Sequence, residues 1–121
     1  MASASGQSNE LNHMSGEMLI KAYETAKKIG VQLDSPNLKE AHPGVALIQH
    51  ALKCEELSLS ILHDYSLDDY AQLAKALSEL HDLGKLDPGW AIGVKNPVRH
   101  AERGEEILKK VEVDKDFRSA L

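Results

Sequence analysis

Leu80-His81-Asp82-Leu83-Gly84-Lys85 joins a helix-patterned segment to a run of chain breakers. Upstream of it, Tyr70, Leu73, Ala74, Leu77 and Leu80 recur at three- and four-residue spacing, which predicts a helix with these side chains facing inward. Downstream, Gly84, Pro88, Gly89, Gly93 and Pro97 interrupt the chain. Asn96-Pro97 can then open another helix, with Ala101, Gly104, Ile107, Leu108 and Val111 inside. The adjacent His and Asp therefore fall at a helix end. Neighbouring helical positions diverge by about 100°, so the two reach one ion only if it sits over the edge between them.

Working outward, the period stays helical. Leu19, Ile20, Tyr23, Ala26 and Ile29 share a face, and Gly30 stands where a helix C-cap belongs. Residues 33–44, LDSPNLKEAHPG, read as a loop. Val45, Ile48, Leu52, Leu59 and Leu62 mark a long second helix, from near Pro43 to about His63. Ser66 with Asp69 imitates a capping box that opens the third. The last residues, 113–121, begin a fifth helix. No window alternates like a strand, so the fold class is all-α, a compact bundle of four to five helices.

Composition agrees. The 121 residues are 42% hydrophobic and 27% charged, which suits one globular domain and argues against wholesale disorder. With aromatics at only 4%, the core must be built from Leu, Ile, Val and Ala. A single cysteine, Cys54, excludes a disulfide framework and a cysteine-rich zinc site. Residues 1–14 are small and polar, with no basic or apolar targeting pattern, and read as a flexible leader that includes His13. Residues 15–121 form the domain. No apolar run approaches the roughly 20 residues that span a bilayer, and the expected location is a reducing cytoplasm.

The net charge of −5 argues against a general nucleic-acid coat. Residues 55–82 hold seven acids (Glu55, Glu56, Asp64, Asp68, Asp69, Glu79 and Asp82) against one base, Lys75, a surface that would repel phosphate. Lys85, Lys95, Arg99 and Arg103 follow, so a phosphate-facing side is expected there.

The His-Asp pair needs a further ligand from another helix, and His50 is well placed, with His42 a rival. Mixed nitrogen and oxygen ligation suits Mn²⁺, Fe²⁺, Co²⁺ or Ni²⁺, with Zn²⁺ or Mg²⁺ also possible. Such an ion lowers the pKa of bound water and polarises a phosphoryl oxygen. Lys85 would stand beside it as a point charge for phosphate. The chain carries its own control: His63-Asp64 is a second His-Asp pair, but Tyr-Ser follows it in place of Leu-Gly-Lys. That pair reads as an ordinary helix-end His and a turn-forming Asp. Cys54 is assigned to the core with Leu57 and Ile61, and Trp90 is read as a buried anchor for the loop after the motif.

The longer pattern is Leu47–His50, then LHDLGK at 80–85, then His100 opening HAERGEEIL. It resembles the HD superfamily of metal-dependent phosphohydrolases over roughly Pro43 to Val111. HDLGKLDPGW at 81–90 followed by RHAERG at 99–104 looks most like the HD nuclease domain of the CRISPR-associated helicase-nuclease. The second of these segments is also similar to the HPxxGxxIL helix of HD-GYP cyclic-dinucleotide phosphodiesterases. The resemblance implies an HD-type helical fold in which His50, His81 and Asp82 bind a first metal. It implies that Lys85 contacts the scissile phosphate and that His100 binds a second metal or phosphate. The family's last ligand is an aspartate well downstream, for which Asp114 and Asp116 are the only late candidates here. By that pattern the domain is incomplete at its C-terminus, and an incomplete domain would expose an apolar patch and could dimerise.

The expected function is therefore a metal-dependent phosphodiesterase of the CRISPR-associated type acting on single-stranded DNA. Asp82 and Lys85 are its catalytic residues, Lys85 and Arg99 contact phosphate, and the partner is a helicase or defence complex. Two alternatives stand beside it: a nucleotide phosphohydrolase, favoured by the acids of 55–82, and a truncated module that binds a partner or nucleotide without catalysis.

Overall fold

A computed structural model describes residues 16–95 and 97–120, apart from the side chains of Asp116 and Ala120. The leader assigned to 1–14, the helix-opening role of Asn96 and the side chain of the late ligand candidate Asp116 lie outside the described residues. The fold is all-α, with 62% helix against 5% strand. Among the described residues the helices are α1 (Glu17–Lys28), α2 (Leu47–Asp64), α3 (Ala71–Leu80), α4 (His100–Val111) and α5 (Lys115–Ala120). Short 3-10 turns at Asp68–Tyr70 and Leu83–Leu86 lead into and out of α3. Among the described residues no helix is long and apolar enough to cross a membrane.

The core gathers Leu19, Ala22 and Ala26 of α1, Leu47 and Ala51 of α2, Ile107 and Val111 of α4, and Phe117 of α5. Leu83 and Leu86 complete it, both fully buried, so the turn after the His-Asp motif is itself core. Each such leucine contributes about 1.5–3 kcal/mol by leaving water. Helix α1 stops where Gly30 was expected to stop it. Gly30 has φ +88°, its N–H donates to Lys27 O at 3.2 Å, and that of Val31 donates to Ala26 O at 2.8 Å.

Several local expectations are corrected. The segment 33–44 is not all loop. Glu40–His42 (β1) pairs antiparallel with Val45–Ala46 (β2), in register Glu40↔Ala46 and His42↔Val45. Strands of three and two residues are too short to show a period of two. Helix α2 accordingly starts at Leu47 rather than near Pro43. Its first two N–H groups donate to Lys39 O (2.6 Å) and Pro36 O (3.1 Å). Ser66 caps no helix. It sits at φ +58° beyond the end of α2, in the left-handed position that usually takes glycine.

Helix α3 is rotated from the expected setting: Leu80 packs against the core and Ala74 is half-buried as expected, but the rest of the predicted face is not inside. Tyr70, Leu73 and Leu77 are more than half exposed, as are Leu57 and Ile61 of α2, whereas Ser78 and Glu79 are buried. The physical reason is the start of α1, which has no side-chain cap of its own. Glu79 Oε1 accepts from Met18 N (2.7 Å) and Leu19 N (3.2 Å), placing a carboxylate at the positive end of the α1 dipole. Three of the seven acids counted as repelling surface, Glu55, Glu79 and Asp82, are thus inside.

Candidate functional site

The site forms where α2, the end of α3 and the start of α4 meet. On α2 the buried stripe is Leu47, Ala51 and Glu55. His50 and Cys54 each precede a member of that stripe by one position, so they lie at its edge and are half-buried. At the end of α3, Leu83 and Leu86 fix the 3-10 turn in the core, which leaves Asp82 and Lys85 to face the site. Gly84 sets the approach of α4: a Cβ there would overlap the His100 carbonyl and crowd Gly104 N. No ordinary side chain fits that contact, and it is what brings His100 up to Asp82.

Asp82 is the hub. His50 Nε2 and His81 Nε2 lie 3.3 and 3.1 Å from its Oδ2, with Lys85 Nζ at 3.4 Å from the same oxygen. His100 Nε2 is 3.7 Å from Oδ1. The structure therefore brings together His50, His81, Asp82, Lys85 and His100 from three separate stretches of sequence. His42, on β1, packs edge-on against His50 with ring centroids 4.9 Å apart. Trp90 closes the far side, its ring 6.1 Å from that of His100 and 4.9 Å from Lys85 Nζ.

Other candidates fall outside. Arg99 is exposed and bound to Glu102 at 3.2 Å on the first turn of α4. Arg103 points inward instead and holds Asp87 at 2.7 Å, bracing the loop after the motif. Asp114 accepts from Phe117 N at 3.0 Å and pairs with Lys28 at 2.9 Å, so it caps α5 beside the end of α1.

Electrostatics follow from this packing. Burial pushes the Asp82 carboxyl up, but the His81 hydrogen bond and the positive charges of His81 and Lys85 outweigh it and hold the group at about 2. The hydrogen bond to Asp82 raises His81, against its burial, and Ser78 O assists by accepting from Nδ1 at 2.8 Å. Burial lowers His50 despite Asp82, with His42, His81 and Lys85 acting in the same direction as burial. Burial likewise raises the Cys54 thiol, reinforced by Asp82 and opposed by Lys85.

The donor set suits a divalent metal ion. His50, Cys54 and His81 offer ligand atoms that all lie within 4.8 Å of one another. The Nδ1–H bond to Ser78 leaves the His81 Nε2 lone pair directed into the group when the ring is neutral, the usual outer support for a metal-binding histidine. Cys54 is the member the sequence reading missed. It was assigned to a core face with Leu57 and Ile61, which are both more than half exposed. The available signal was the four-residue step from His50, which puts both side chains on one helix face. Comparison with protein-family models, curated proteins and solved structures finds no match to this chain.

Proposed function

We propose that this chain is a metal-dependent phosphodiesterase of the HD type, a nuclease acting on single-stranded DNA. The observation that carries the reading is the convergence on one carboxylate: His50, His81, Lys85 and His100 all approach Asp82 within 3.7 Å. His50, His81 and Asp82 would hold a divalent transition ion such as Mn²⁺, Fe²⁺, Co²⁺ or Ni²⁺. When bound, such an ion acidifies water and polarises a phosphoryl oxygen. Lys85 places a fixed positive charge beside the same carboxylate, where it neutralises charge building on phosphoryl oxygens. His100, brought in on α4, can donate from Nε2 to a non-bridging oxygen of the substrate. Trp90 covers both groups and reduces their exposure to water.

A nucleotide phosphohydrolase is the second reading. It is favoured by the exposed acids Glu56, Asp64, Asp68 and Asp69, which disfavour a long phosphate backbone along α2 and the α2–α3 connection. One assay tests both. The chelator-treated chain is supplied with Mn²⁺, Co²⁺ or Ni²⁺ and offered a single-stranded oligodeoxynucleotide and a mononucleotide side by side. Metal-dependent cleavage of the oligomer is expected, with a loss of about 10²–10³-fold or more on combining His81→Ala and Asp82→Ala. Turnover of the mononucleotide alone selects the second reading. Activity that survives both substitutions overturns both readings, and metal binding without turnover leaves a non-catalytic module.

A further inference from the structure

We infer that Cys54 is a thiolate ligand in the same metal shell as His50 and His81, so that the centre selects a thiophilic divalent ion such as Zn²⁺, Co²⁺ or Fe²⁺ over Mg²⁺ and Mn²⁺. The inference rests on the metal-dependent reading above and revises its ions, removing Mn²⁺ and admitting Zn²⁺.

Three separations carry it. Bonds of roughly 2.0–2.1 Å to nitrogen or oxygen and 2.3 Å to sulfur place tetrahedral donors roughly 3.3 Å apart for N and O, and roughly 3.6 Å apart for N and S. His50 Nε2 to Asp82 Oδ2 is 3.3 Å, His81 Nε2 to Asp82 Oδ2 is 3.1 Å, and Cys54 Sγ to His50 Nε2 is 3.7 Å. Each pair stands at the spacing of neighbouring donors on one ion, and His50, Cys54 and His81 form the set whose ligand atoms all lie within 4.8 Å of one another. His50 and Cys54 already stand at ligand spacing, and His81, within 4.8 Å of both, draws inward to join them on an ion. The pair His50 and Cys54 belongs to one helix, four residues apart, which fixes their separation through backbone geometry. His81 comes from the end of the neighbouring helix, with its other ring nitrogen bound to Ser78 O.

The donor chemistry then sets the metal. Sulfur is a soft ligand that Mg²⁺ and Mn²⁺ bind poorly, whereas imidazole with thiolate suits zinc and its neighbours. Coordination forms the metal–sulfur bond and breaks S–H, and the proton leaves to solvent, so binding releases one proton from Cys54. The ion takes the place of the proton on sulfur and so makes the half-buried thiol a ligand.

Cobalt(II) absorption of the full chain decides the matter, because Cys54 is the only cysteine and any sulfur-to-cobalt charge transfer must come from it. Titration under anaerobic, reducing conditions is expected to raise a near-ultraviolet charge-transfer band together with visible d–d bands, both saturating at one equivalent. In Cys54→Ser the visible bands persist and the charge-transfer band is lost. Zn²⁺ affinity falls by at least the about 10–100-fold that loss of even an outer partner costs. Visible bands without charge transfer in the unmodified chain overturn the ligand role of Cys54 and leave the function proposed above intact. Absence of any cobalt spectrum overturns both.

Discussion

The chain contains the same dipeptide twice at a helix end, and the two copies meet opposite fates. His63-Asp64-Tyr65-Ser66 closes α2, and His81-Asp82-Leu83-Gly84 closes α3. Two residues before the first pair stands Ile61, an apolar side chain that is 57% exposed; two before the second stands Glu79, a carboxylate that is 1% exposed. One residue after the pairs, Tyr65 is 74% exposed and Leu83 fully buried. His63 pairs with Asp68, at 3.3 Å on the surface, while His81 joins a cluster drawn from three helices. What separates them is not the dipeptide but the turn after it. Local backbone bonds finish the first turn, with Leu67 N–H to Leu62 O at 2.7 Å. Tertiary packing finishes the second. A His-Asp pair becomes a site when the residues that follow it are claimed by the core.

Gly84 against Ser66 is the sharpest form of that comparison, since they occupy the same place after their pairs. Ser66 holds the positive φ that favours glycine, and Gly84 is glycine for lack of room rather than for φ. Gly84→Ala is therefore expected to cost about 3 kcal/mol or more in urea unfolding, the upper range for overpacking, because the obstacle is backbone of α4 and not a movable side chain. The surviving folded fraction should show His100 displaced from Asp82, read from its imidazole NMR shifts. A variant with unchanged stability would break the claim that this contact positions α4.

Much of this was legible in the sequence, for identifiable reasons. Helical spacing located the helices of the described residues, and Gly30 marks the end of α1 because it carries a local signal. His50, His81, Asp82, Lys85 and His100 were singled out by motif and spacing, and they stand together in the fold. Tertiary demands hid the rest. Nothing local announces that Glu79 will cap a helix sixty residues earlier, so the leucine pattern places Leu80 correctly but sets Leu73 and Leu77 inward where the fold exposes them. Cys54 was sorted by hydrophobicity when its relevant neighbour was His50. The hairpin that carries His42 to the site is too short to leave a pattern.

The buried acids beneath the second pair give the next test. Burial, then the hydrogen bond and repulsion from Glu79, push Glu55 up to about 8, with Lys75 opposing. Both Glu55 oxygens are buried beside Glu79, so at neutral pH the group keeps its proton. A raised carboxyl pKa means that the folded state holds a proton the unfolded state has lost. Stability from this group is full below the ordinary value of 4.5 and declines as pH rises to about 8, by at most roughly 1.4 kcal/mol per pH unit. Glu55→Gln keeps a donor toward Glu79 and removes the titration. Its advantage over the unmodified chain should grow from pH 5 to pH 8 in paired urea melts. The shifted His50 and His81 are common to both proteins and cancel in the comparison, and the depressed Asp82 acts only below this window. A difference that stays flat across the range would overturn the raised pKa of Glu55.

The smallest effect belongs to the first pair and has the opposite sign from Gly84→Ala. Ser66 pays the left-handed penalty of about 1–2 kcal/mol that a glycine avoids. Glycine gives back part of that gain through the added freedom of the unfolded chain. Ser66→Gly is accordingly expected to stabilise by about 0.5–1 kcal/mol, measured as a higher urea midpoint with unchanged slope. Its cobalt spectrum should match that of the unmodified chain, since the α2 end shares no side chain with the metal cluster. If Ser66→Gly instead destabilised the fold or altered that spectrum, the α2 terminus would be coupled to the site. The two His-Asp pairs would then differ in degree rather than in kind.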